Sequence, residues 1–154
     1  MPSVTIAEES PLQAECRALL ELSDAHANAL YPPVSNHLVD AETLVAERVR
    51  FFVARADGRA LGCAGFRPKA GYAEIKRMYV DDGARGLGVG RALLGAVEAA
   101  ARRDGIALLR LETGTLNHEA LGLYRRAGYR EIGPFGDYGP DPLSIFMEKS
   151  LPAG

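Results

Sequence analysis

Arg85-Gly86-Leu87-Gly88-Val89-Gly90 is the stretch that decides how this chain is read: an apolar strand-like run, Ile75 to Val80, precedes it and a long Ala/Leu-rich helical segment follows. Three glycines in five positions leave backbone N–H groups uncovered by Cβ atoms. A helix starting there adds its own unpaired amides and the positive end of its dipole. The spacing predicts a cradle for an anion, a pyrophosphate above all. The alternative is a loop that only turns a strand into a helix, and the flanking sequence has to decide. Two familiar phosphate loops do not fit. A dinucleotide fingerprint needs a third glycine where Arg91 stands, and a nucleoside-triphosphate loop needs a Gly-Lys-Ser/Thr end that is absent.

Downstream of the loop, Leu93, Leu94, Val97 and Ala100 recur at helical spacing from Val89 until Gly105, with Arg102 and Arg103 in the last turn. Ile106 to Leu111 reads as a buried strand, Leu116 to Ala127 as an amphipathic helix ended by Gly128, and Leu143 to Met147 as a final strand. Upstream, Val4-Thr5-Ile6 is a short strand. Ser10 then caps a helix with Pro11 in its first position and Gln13 completing a capping box; it runs to about Leu30, where Tyr31-Pro32-Pro33 stops it. Asp40 caps a short second helix. Arg50 to Ala54 and Ala60 to Phe66 flank Asp57-Gly58, a hairpin signal, and Tyr72 to Val80 completes an antiparallel meander of three. The pattern is α/β, and with no repeat or linker a single domain is expected over residues 1–154.

Composition narrows the partners. Apolar residues at 47% and charged ones at 25% suit a globular protein, while a net charge of −2 argues against nucleic acid as the main partner. No apolar run reaches membrane-spanning length. Only Cys16 and Cys63 occur, with no metal-ligand spacing and no signal peptide, so two reduced thiols in a cytoplasmic protein are expected. Cys63, inside an apolar run, reads as core.

Arg85 to Gly90 also matches Gln/Arg-x-x-Gly-x-Gly/Ala, the signature loop of the GNAT acyltransferases. The match extends to both sides. Ala73-Glu74-Ile75-Lys76-Arg77-Met78-Tyr79-Val80 resembles that family's fourth strand. Asn117 through Tyr124 to Gly128-Tyr129 resembles its Asn-x-x-Ala-x-x-Leu-Tyr-x-x-x-Gly-Phe/Tyr helix. The resemblance covers roughly residues 60 to 130. It implies a mixed, mostly antiparallel sheet flanked by helices and splayed between strands 4 and 5, here Tyr72 to Val80 and Ile106 to Leu111. It also implies acetyl-coenzyme A as donor and direct transfer to an amine, with a small-molecule amine as acceptor and a homodimer left open. Lysine or N-terminal acetylation of a protein, and a non-catalytic acyl-coenzyme A sensor, are the other readings.

The resemblance carries over residue by residue. The edge of Met78, Tyr79 and Val80 would pair with the pantetheine amides, and Arg85, Gly86, Leu87, Gly88, Val89, Gly90 and Arg91 would hold the pyrophosphate. Asn117 would contact the pantetheine arm. Tyr124, seven residues on and so on nearly the same helical face, would protonate the departing thiolate; the alternatives are a cap for Asn117 and a core aromatic for Tyr124. Glu74 is the first choice of general base and Glu112 the rival. Either is otherwise an ion-pair partner of Lys76, Arg77 or Arg110, and a water relay needs neither. Loops that line the acceptor site in the family correspond to Tyr31, Asn36, His37 and Tyr138, and His37 with Arg77 would hold a carboxylate of an amino-acid-like acceptor.

Overall fold

The computed structural model describes residues 3–32 and 39–152. One seven-stranded sheet runs through it in the order β1-β2-β3-β4-β5-β7-β6. Its strands are β1 Thr5–Glu8, β2 Arg50–Ala56, β3 Arg59–Lys69, β4 Tyr72–Val80, β5 Leu108–Gly114, β6 Arg130–Ile132 and β7 Ser144–Ser150. Every pairing is antiparallel except β4 with β5. The β2–β3 hairpin turns at Asp57-Gly58, both at positive φ (52° and 79°), as a two-residue type I′ turn requires.

Helices α1 (Ala14–Leu30) and α2 (Ala41–Ala46) cover one face of the sheet, and α3 (Val89–Arg103) and α4 (His118–Arg126) the other. Strand alternation sorts the core accordingly. Phe51, Val53 and Cys63 point toward α1 and α2, where they meet Leu19, Leu20 and Leu44. Phe52, Phe66, Ile75 and Leu111 point the other way, against Leu93, Val97 and Leu121. Both α3 and α4 end in a Schellman turn, with Gly105 (φ 79°) and Gly128 (φ 96°) in the left-handed position. The amides of Ile106 and Tyr129 return to Ala101 and Tyr124 at 2.9 and 3.0 Å.

Asp40 caps α2 as expected, accepting from the Thr43 amide at 2.8 Å. The expected cap of α1 does not form. The Ser10 hydroxyl accepts from Leu12 at 3.1 Å in a local turn, and the Gln13 side chain reaches back to Glu9 and the Ser10 carbonyl, so the helix starts at Ala14. The three-residue β6 escapes a reading based on apolar alternation because it exposes Arg130 and Glu131; its pairing with β7 alone defines it.

Candidate active site

Strands β4 and β5 touch through only two residue pairs, Ala73 with Leu109 and Glu74 with Arg110. Beyond Glu74 they part, and the β4 edge from Ile75 to Val80 has no ladder partner on that side. A bulge lies at the same place. Gly65 faces Lys76 and Cys63 faces Tyr79, leaving Arg77 and Met78 together opposite Ala64. Bulges bend a strand and increase its twist, which carries β4 away from β5. Arg77 takes the left-handed backbone (φ 58°), a strain of about 1–2 kcal/mol for a residue with a Cβ. Its side chain anchors it: Nη2 donates to the Leu20 carbonyl at 2.9 Å and Nη1 lies 2.8 Å from Asp24 Oδ1, both on α1. The Arg77 guanidinium is therefore committed to α1, while Asn36 and His37, its expected companions at the acceptor, lie outside the described residues.

A cleft of about 1370 Å³ fills the opening. The β4 edge with Met78, Tyr79 and Val80 forms one side, and the glycine loop with the start of α3 forms the end. Gly86 (φ 85°) and Gly88 (φ 73°) need the backbone freedom of glycine, and a Cβ on either would meet nothing within 4 Å. The first bond of α3 runs from the Ala92 amide to the Gly88 carbonyl at 3.0 Å, so the amides of Val89, Gly90 and Arg91 precede the helical ladder. Leu87 differs from its neighbours: its amide reaches back to the Ala84 carbonyl at 3.4 Å and its side chain packs on the core. Gly90 has a second reason to lack a side chain, since a Cβ there would lie 3.1 Å from Leu123 Cδ2, against α4. Arg85 bridges the loop to α4 through Asp82 (2.8 Å) and Glu119 (2.6 Å).

Helix α4 supplies the opposite side. Asn117 sits at its N-cap position, yet its side chain caps nothing: Nδ2 donates to Thr113 Oγ1 at 3.3 Å, and Oδ1 is buried with no hydrogen-bond partner. An orphaned buried acceptor beside the open strand edge fits an amide donor of a pantetheine arm. Tyr124, 4% exposed, packs edge-on against Tyr129 and lines the cleft. Burial, reinforced by the nearby Glu112 charge, pushes its phenol above the ordinary value of 10, so it holds its proton.

The two carboxylates part company. Glu112 lines the cleft, accepts from Ser144 Oγ at 2.8 Å, and is close enough to raise the phenols of Tyr31, Tyr124 and Tyr138. Glu74 is 2% exposed and does not line it; it accepts from Tyr138 Oη at 2.5 Å and pairs with Lys76 at 3.2 Å and Lys69 at 3.8 Å. Tyr138 and Tyr31 both border the cleft. Tyr31 Oη accepts from the Leu116 amide at 3.0 Å and lies so close to Gly114 that a Cβ there would be 2.0 Å away. Gly114 and Lys76 were not singled out from the sequence. Lys76 was legible only as an ion-pair partner, and the need for glycine at 114 arises from a residue 83 positions earlier.

An opened parallel seam flanked by a glycine-lined helix start suits a ligand that presents amides to a strand edge and an anion to the helix. That combination suits an acyl-coenzyme A, the donor that acyltransferases use. The chain belongs to the acetyltransferase (GNAT) family, whose model matches residues 16–129. It is 49% identical to an IAA acetyltransferase of Azospirillum brasilense over 98% of this chain and 100% of that one. Its fold matches a crystal structure from Klebsiella pneumoniae described as a candidate acyl-CoA N-acyltransferase (TM-score 0.82, 38% identity, 96% and 97% of the chains). It also matches an acetyltransferase-like structure from Salmonella typhimurium solved with its cofactor acetyl-CoA (TM-score 0.73, 23% identity, 98% and 95%). No helix among the described residues is long and apolar enough to cross a membrane.

Proposed function

We propose that this protein, acting as one domain in the cytoplasm, transfers an acetyl group directly from acetyl-CoA to the primary amine of a small molecule. The observation that carries this reading is the β4–β5 seam closed at only two pairs beside the Gly86–Arg91 cradle. The amides of Gly88 to Arg91 would hold the pyrophosphate, the β4 edge from Met78 to Val80 would face the pantetheine arm, and Asn117 Oδ1 would accept from one of its amides. Bound acetyl-CoA supplies an acetyl group already activated as a thioester.

The chain's own groups then move two protons. Glu112 accepts one from the acceptor's ammonium, freeing the lone pair that forms the N–C bond. Tyr124 gives its phenolic proton to the sulfur as the C–S bond breaks, and solvent restores both groups. Glu112 is favoured over Glu74 because it borders the cleft, whereas Glu74 is held by Tyr138 and two lysines. Cys63 is no competing nucleophile: it is fully buried, donates to the Arg77 carbonyl, and burial pushes its thiol up to about 12.

The test is thiol release from acetyl-CoA over a panel of amines that includes a lysine peptide, with IAA, from the name of the Azospirillum relative, offered separately, followed by single-turnover kinetics of Tyr124→Phe. Loss of general-acid assistance should slow the step by about 10²- to 10⁴-fold with the fold intact. Turnover of the lysine peptide alone would move the reading to protein acetylation. Binding of acetyl-CoA with no acceptor consumed would leave a sensor.

A further inference from the structure

Strand β4 changes parity at its bulge. Ile75 packs into the core under α3 and α4, and on an unbroken strand Arg77 and Tyr79 would follow it to that face. Instead Met78 and Val80 pack on the α3–α4 side, and Tyr79 packs on the α1–α2 side. The extra residue opposite Ala64 accounts for the exchange. The backbone changes sense with it. Asp81 donates its amide to the Leu61 carbonyl of β3 at 2.8 Å, so alternation along the ladder points the backbone groups of Tyr79 toward β3 and those of Met78 and Val80 toward the opening.

This geometry is gripped at one residue, Arg77. Its left-handed backbone is costly for a residue with a Cβ, so other contacts have to retain it. On the α1 side its guanidinium, with the side chain 2% exposed, donates from Nη2 to the Leu20 carbonyl at 2.9 Å. Asp24 compensates the buried charge at 2.8 Å, as an ion pair outside hydrogen-bond geometry. On the β3 side Cys63 Sγ donates to the Arg77 carbonyl at 3.3 Å. Elements on two sides of β4 therefore hold the residue that decides which way Met78 and Val80 face.

Resting on the reading above, in which the β4 edge faces the pantetheine arm, we propose that Arg77 is a positioning residue for the donor. Pinned to α1 by its side chain and to Cys63 by its carbonyl, it holds the bulge that presents the Met78 and Val80 backbone groups to the pantetheine amides. It acts through the strand edge rather than on the ligand. Cys63, which is no nucleophile, has its part here.

The experiment measures, by titration calorimetry on the full chain, the affinity for acetyl-CoA and for adenosine 3′-phosphate 5′-diphosphate, the coenzyme fragment that lacks the pantetheine arm. The ratio of the two affinities reads the strand edge alone. Arg77→Gly removes the side chain while glycine accepts the positive φ without strain. It should leave the fragment within about 2-fold of wild type and weaken acetyl-CoA by roughly 10-fold or more, the worth of one or two edge hydrogen bonds. Arg77→Lys, which keeps a cationic donor for Leu20, should restore part of the ratio. An unchanged ratio in Arg77→Gly, or a parallel loss of both ligands, would overturn the proposal. If Arg77→Gly does not fold, Cys63→Ala decides: the ratio should fall by roughly 2- to 5-fold, and an unchanged ratio would overturn the proposal. A wild-type chain that binds acetyl-CoA no more tightly than the fragment would instead remove the edge-pairing reading on which this one rests.

Discussion

Gly114→Ala is a one-carbon change whose cost can be worked from the contact between β5 and the end of α1. The added Cβ would lie 2.0 Å from Tyr31 Oη, 2.1 Å from Cζ and 2.7 Å from Cε1. Ordinary contact is about 3.5–4.0 Å, so the ring has to retreat by roughly 1.5 Å. Tyr31 is the C-cap residue of α1 and 8% exposed, so there is little room to move without disturbing that helix end. Retreat also breaks the hydrogen bond from the Leu116 amide. Overpacking costs about 1–3 kcal/mol and the lost bond about 1 more, giving about 2–4 kcal/mol. For a chain of this size that is a fall in Tm of roughly 5–15 °C. Gly114 is not among the residues at positive φ, so backbone strain does not contribute. Thermal melts of the variant and of the Gly114→Ala/Tyr31→Ala pair measure it: removing the ring should cancel the Gly114→Ala penalty to within about 0.5 kcal/mol. An unchanged Tm, or a penalty that persists without the ring, would refute the steric argument.

Gly88→Ala should lower stability by about 1 kcal/mol from its left-handed backbone and, because its methyl projects into open space at the cleft, weaken acetyl-CoA binding at least ~10-fold by calorimetry; Gly90→Ala should disturb the α3–α4 contact first and show chiefly in the melt. Burial holds the phenols of Tyr124, Tyr129 and Tyr138 above the ordinary value of 10, so their contribution to stability is complete below that pH and is lost progressively as pH rises above it toward their raised values. The urea midpoint should therefore fall on the alkaline side, and less steeply in Tyr129→Phe; a midpoint flat above pH 10 would contradict the burial of these groups.

Local sequence determined most of the elements. Strand β4 runs from Tyr72 to Val80 and α3 begins at Val89 as read, because an apolar run bounded by glycines and a helical apolar stripe both act over a few residues. The glycine cradle was legible for the same reason: Gly86 and Gly88 carry the left-handed backbone within one short loop. Where two local signals competed, the reading slipped, as at Ser10, whose hydroxyl serves a turn before it can cap α1.

The cleft chemistry is another matter, since it depends on which strands stop pairing and which faces their residues share. Nothing near Glu74 in sequence says that Tyr138, 64 residues away, will bond to it, or that Glu112 instead will border the opening. Likewise nothing near Arg77 in sequence says that a residue bordering the cleft will have its guanidinium engaged by Leu20 and Asp24 on α1. Backbone propensity and periodicity are settled by neighbours along the chain; the partner of a buried charge is settled by neighbours in space, and the cost of burying it unpaired is what makes the tertiary structure choose.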